Sequence, residues 1–144
     1  MEALRNLLKK AASLQQDFAI QAMDKPSNLD LVVELNTQGQ LYDKGIGSDG
    51  ISLGSYRPFT IDKKIDSGQP TDRVTLKDTG DFYNSVRANF SYNGDIIITA
   101  DTIKGDTDLE IEWGKNILGL TDESISIINP IFTDDIIKDV KAFL

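Results

Sequence analysis

The chain contains no cysteine and no histidine. Disulfides, thiolate nucleophiles, the usual zinc sites and every histidine-based triad or proton shuttle are thereby excluded. Acid–base chemistry would fall to carboxylates, lysine or tyrosine, and a metal would have to be a hard ion held by oxygen. No run of about 18 apolar residues occurs, so no membrane span is expected, and the charged, amphipathic N-terminus does not read as a signal peptide. Basic residues are few: 15 Lys and Arg face 23 Asp and Glu, for a net charge of -8. That balance argues against binding that works by neutralising phosphates or anionic lipid. What remains is an ordinary globular composition, 40% hydrophobic and 26% charged over 144 residues, enough for a single domain with one core.

Periodicity divides the chain into a helical part over 1–45, a sheet-containing part over 46–120 and a helical part over 121–144. Leu4, Leu7, Leu8, Ala11, Leu14 and Phe18 recur at three- and four-residue steps and predict a helix over 3–22, ended before Pro26. Ser27 and Asp30 resemble a capping box. Alternation of Leu29, Leu31, Val33 and Leu35 competes with it, and a helix over 28–42 is the expectation. Glycines over 43–55 predict a loop, Pro58 an edge strand over 56–61, and 62–73 a long polar loop that contacts neighbours. Val74–Leu76 reads as extended and Asp81–Val86 as a short helix capped by Asp78 or Thr79. Asn93-Gly94 predicts a two-residue hairpin turn between Ala88–Tyr92 and Asp95–Ala100. Alternation predicts a half-buried strand over Asp108–Trp113. A short helix from Thr121 is expected to stop at Asn129-Pro130, before a final helix capped by Thr133 with Ile136, Ile137, Val140, Phe143 and Leu144 as its apolar stripe. The fold class is α+β: a small antiparallel sheet of three to four strands packed by N-terminal and C-terminal helices.

Several motifs match by letter without the context their chemistry needs. Gly45-Ile46-Gly47-Ser48-Asp49-Gly50 fits a dinucleotide fingerprint, but no helix is expected after it to hold a pyrophosphate. The same stretch lacks the upstream carboxylates of a calcium loop, and Asp101, Asp106 and Asp108 read as a polar turn. Asn89-Phe90-Ser91 matches a glycosylation triplet in a chain without a secretion signal. No spacing among the acids singles out a glycosidase pair, and Trp113 reads as core or interface packing. Asp78-Thr79-Gly80 is the tripeptide of aspartic proteases, where two such acids share a proton. A single copy would need a homodimer, as in retropepsin-like enzymes, with Asp78 catalytic and Ile117-Leu118-Gly119 as the later apolar segment. Lys77 before it and Asp81-Phe82-Tyr83-Asn84 after it favour a helix cap instead.

The segment Thr75–Val86, with the form apolar-x-Asp-Thr-Gly-x-apolar-x-x-Ser, resembles tail-completion, or neck, proteins of tailed bacteriophages. The hairpin over Ala88–Ala100, the pair Trp113-Gly114 and the helix Thr133–Leu144 follow in that family's order. Leu35–Ile46 with Ser55-Tyr56 and Gly68-Gln69-Pro70 is similar to virion proteins of gut phages, including the crAss-like group. The resemblance implies a small sheet packed by helices and a non-catalytic ring between portal and tail. The implied location is the virion, with portal, adaptor or tail proteins and other copies of the chain as partners, and neither cofactor nor membrane. Within it, Thr79 and Gly80 would cap the central helix, Phe82 and Tyr83 would pack it, and Trp113 with Gly114 would close the core. Ile137, Val140 and Phe143 would meet a neighbour. Ring contacts need two different faces, for which the two terminal helices are the candidates. An acidic lumen would let DNA pass without gripping it. A protein-binding adaptor is the remaining reading.

Overall fold

The computed structural model describes residues 1–91 and 94–143, without the side chains of Lys10, Ala11, Ala12, Leu14 and Gln15. Helix α1 (Glu2–Met23) is followed by α2 (Pro26–Glu34), which continues as a π-helical segment, Leu35–Tyr42. Then come α3 (Pro58–Asp66), α4 (Asp81–Ser85), strands β1 (Arg87–Phe90) and β2 (Ile96–Thr99), strands β3 (Ile103–Lys104) and β4 (Thr107–Asp108), α5 (Leu109–Trp113), a 3-10 turn (Lys115–Ile117) and α6 (Asp122–Phe143). The class is mixed helix and sheet with helices at both ends, as the sequence implies. The strands do not form one sheet, however. They make two separate antiparallel pairs, β1 with β2 and β3 with β4.

Two apolar clusters organise these elements. Leu41, Val74, Leu76, Phe82, Val86, Leu109 and Ile117 form one; Val32, Ala88, Ile128 and Phe132 form the other. Val33 and Ile98 pack against both, so α2 and β2 join the two clusters. Ile96 and Ile98 face inward and Ile97 outward, as alternation requires. The last pair in the register is Phe90 with Ile96, so five residues separate the two strands where a two-residue turn was expected. Tyr92 and Asn93 lie outside the described residues.

Further expectations are corrected, and Pro58 and Pro130 account for two of them. Residues 56–61 are not an edge strand: Pro58 sits at the first position of α3, where its fixed φ suits a helix and its missing N–H costs nothing. The polar loop over 62–73 is accordingly shorter, because 62–66 belong to α3 and Lys64 is buried. Pro26 begins α2 in the same way, and Ser27 makes no capping bond there. Pro130, by contrast, lies inside a single 22-residue α6, so Thr133 caps nothing; its hydroxyl donates to the Asn129 carbonyl. An internal proline costs about 3 kcal/mol. Ile128 and Phe132 flank it and are both buried in one cluster, and burying two such side chains returns about 3–6 kcal/mol. Burial therefore wins and the helix runs through.

The strand expected over Asp108–Trp113 is also corrected. The Asp108 carboxylate accepts from the Glu110 backbone N–H at 3.0 Å and starts a one-turn helix. Leu109 and Trp113 then share a helical face four residues apart and turn inward, while Ile111 is left 85% exposed.

A buried polar seam holds the π-helical segment to the chain before α6. The Asn36 amide donates to the Ile117 carbonyl at 3.0 Å and accepts from the Gly119 N–H at 2.9 Å. The Gln40 amide donates to the Gly119 carbonyl at 2.8 Å and accepts from the Thr121 N–H at 2.9 Å. Two side-chain amides thus pair with residues 117–121 as a neighbouring strand would. The Ser124 hydroxyl also donates to Gln40 Oε1 at 2.8 Å, and Thr121 Oγ1 accepts from the Ser124 N–H at 3.1 Å to start α6. Among the described residues no buried side-chain nitrogen or oxygen lacks a partner.

Candidate functional site

The Asp78-Thr79-Gly80 turn stands on the surface beside a groove of about 530 Å³ whose lining includes Tyr56, Phe59, Lys64, Asp78, Lys104 and Trp113. Tyr56 organises its floor. Its hydroxyl accepts from the backbone N–H groups of Thr75 at 2.8 Å and Leu76 at 3.0 Å. Leu76 has φ 58, the left-handed region that a bulky residue enters at a cost of about 1–3 kcal/mol. The paired N–H groups at Tyr56 hold that bend in place. On the other side the Tyr83 hydroxyl donates to the Thr75 carbonyl. Burial first, then the neighbouring Tyr56 and Tyr42, pushes the Tyr83 pKa well above its ordinary value. The phenol therefore stays protonated and keeps donating. Its stabilising effect is fully present below the unfolded tyrosine pKa of about 10 and declines as pH rises beyond that.

Tyr56→Phe keeps the ring and its edge-to-face contact with Trp113, whose centroid lies 6.1 Å away. It strips the acceptor from two N–H groups. The expected loss is about 1–3 kcal/mol, read as a lower urea midpoint with an unchanged slope.

Lys64 is the buried cation of the groove. It donates to the Lys77 carbonyl and to Gln69 Oε1, and Gln69 Nε2 donates to the Asp78 carbonyl at 3.0 Å. The ammonium lies 5.2 Å from the centre of the Tyr56 ring. Lys64 and Gln69 together clamp the backbone of the turn from α3. The Asp78 carboxylate itself points outward, with 78% of its side chain exposed and Lys104 at 3.8 Å.

The residues singled out in the sequence fall in three places. Thr79 Oγ1 accepts from the Asp81 N–H at 3.3 Å, and Gly80 precedes α4 at φ 93, a conformation that suits glycine. Phe82 is buried in the first cluster, with Tyr83 packed against it. Trp113 packs half-buried on the same cluster, and Gly114 ends α5 at φ 92. Ile137, Val140 and Phe143 lie on α6, remote in sequence from this turn. Phe143 meets Phe18 of α1, ring centres 5.4 Å apart, so the terminal helices pack partly on each other rather than each offering a whole free face. Leu144 lies outside the described residues.

Tyr56, Lys64, Asn36 and Gln40 were not anticipated. The amides could have been found as two carboxamides four residues apart, on one face of the helix expected over 28–42. Nothing in the sequence marks Tyr56. Gly45–Gly50 forms a turn closed by an Ile46–Ser52 bridge, not a phosphate loop entering a helix. Among the described residues no cluster of acids could hold a metal ion, and no helix is long and apolar enough to cross a membrane. Comparison of the chain with protein-family models, with curated proteins and with solved structures returned no match.

Proposed function

We propose that the chain is a structural subunit of a tailed-phage virion, assembling as a ring in the head–tail connector or neck, or completing the tail. One observation carries this reading. Among the described residues the buried side-chain polar groups are paired, yet large apolar side chains stand uncovered on several surfaces, the start of α1 and the unit β3–β4–α5 among them. Two unlike patches are what a head-to-tail ring uses. The order of motifs around Asp78-Thr79-Gly80 adds the resemblance to tail-completion proteins. Portal, adaptor or tail proteins would cover the axial faces, and the acidic surface would line a lumen through which DNA slides. Removal of the gene from a phage that encodes it is expected to leave filled heads and tails unjoined in electron micrographs. Normal joined particles would contradict the proposal.

The retropepsin-like reading makes a different prediction at Asp78. A protease dyad needs two carboxylates close enough to share a proton. The Asp78 carboxylate is instead exposed and faces Lys104. Asp78→Asn is expected to change stability by no more than about 0.5 kcal/mol, to leave assembly intact and to abolish no peptide cleavage. Pepstatin-sensitive cleavage by the unaltered chain, lost in the variant, would establish the protease instead.

A further inference from the structure

The first nine residues are all exposed, and among the described residues the apolar stripe Leu4, Leu7 and Leu8 stands 55%, 63% and 61% exposed. The packing of Phe18 on Phe143 explains why. Asn28 donates both to the Ala22 carbonyl and to Asp135, so α1 and α6 run antiparallel, with Phe18 near the end of α6. The part of α1 before Phe18 extends about 24 Å beyond that contact. This arm is also the basic part of an acidic protein: its sequence carries Arg5, Lys9 and Lys10 against Glu2 and Asp17, with Glu2 the one acid in the first nine residues.

A complementary surface exists on the same molecule. Residues 101–113 carry five acids against Lys104, and they display Ile111 and Ile103 as exposed apolar side chains. Glu110 and Glu112 take part in none of the ion pairs among the described residues. The rival surfaces fit less well. The exposed Phe59 of α3 lies under the Lys63 ammonium, which would repel a basic arm. The acids of α6 are partly engaged, Glu123 by Lys44, Asp139 by Lys25 and Asp135 by Asn28.

Resting on the assembly reading above, we infer that the α1 arm of one copy docks on the β3–β4–α5 unit of the next. Its leucines cover Ile111 and Ile103, and Arg5 and Lys9 face Glu110 and Glu112. The two patches differ, so the contact is heterologous and repeats around a ring. Charge complementarity sets its register and direction, and added salt weakens it.

The test is a charge swap on the full chain, read by sedimentation or light scattering up to millimolar concentration, with circular dichroism as the control for folding. Arg5→Glu with Lys9→Glu is expected to weaken self-association about tenfold, as is Glu110→Lys with Glu112→Lys. Mixing the two variants is expected to restore it. Because the chain has no cysteine, Leu8→Cys mixed with Ile111→Cys gives a second readout: a disulfide-linked pair, formed in preference to either homodimer. Self-association that ignores both reversals would overturn this contact while leaving the ring proposal standing. An arm-to-arm dimer of Leu8→Cys would assign the face to a symmetric pair instead and overturn it equally. A wild-type chain that stays monomeric throughout and forms no mixed disulfide would count against both the contact and the ring.

Discussion

Gln40→Leu is expected to lower the unfolding free energy by about 3 kcal/mol or more. The Gln40 amide serves three buried groups at once: the Gly119 carbonyl, the Thr121 N–H and the Ser124 hydroxyl. Leucine fills similar space but offers no partner, and each buried group left unpaired costs about 1–3 kcal/mol. Urea unfolding should show a lower midpoint. Asn36→Leu should behave alike, since it orphans the Gly119 N–H and the Ile117 carbonyl. The double variant is expected to cost less than the two together, because both amides hold one strap. A neutral Gln40→Leu would mean that residues 117–121 are held by packing alone.

Phe82→Ala is expected to cost about 3–5 kcal/mol, the range for a buried phenylalanine truncated to alanine. Phe82 is only 2% exposed and packs in the cluster that gathers α4, the Val74–Leu76 segment, α5 and the π-helical segment. Its loss leaves a cavity beneath the Asp78-Thr79-Gly80 turn, so the turn should loosen along with the core. Hydrogen exchange at Asp81 and Asn84, whose N–H groups are bonded at the start of α4, would report that loosening directly. A loss below about 1 kcal/mol, with those amides still protected, would show that the turn is held mainly by Lys64 and Gln69.

These two residues differ in how plainly they show in the sequence. Phe82 is visible because a helix signal and an apolar residue coincide after Asp-Thr-Gly. Gln40 is hidden because its partners, two backbone groups and the Ser124 hydroxyl, lie some 80 residues away, and no local pattern encodes them. The terminal helices, α4 and the β1–β2 hairpin follow from periodicity and capping. Pro58 misleads because proline suits both an edge strand and the first turn of a helix, and only the amphipathic run to Asp66 separates the two. Pro130 misleads because its local cost is outweighed by Ile128 and Phe132 packing at a distance. Asp108–Trp113 misleads because six residues with alternating character fit a capped helical turn as well as a strand, and the Asp108 cap decides. At the candidate site the turn and its packing residues were legible. Lys64 reads as a surface charge until α3 is placed against the Lys77 carbonyl, and Tyr56 acquires its role only when the Val74–Leu76 segment folds across it.

In the proposed contact, the acidic β3–β4–α5 unit and the basic arm would make assembly depend on charge placement rather than on overall charge. The net charge keeps copies apart at long range, while the arm carries the opposite sign to the one place where contact is wanted.

The most direct test of the central claim is the copy number of the chain in purified particles of a phage that encodes it, by quantitative mass spectrometry against the portal protein. A closed ring in the neck or tail predicts a few to about a dozen copies per particle. Absence from the particle, or hundreds of copies, would contradict the account.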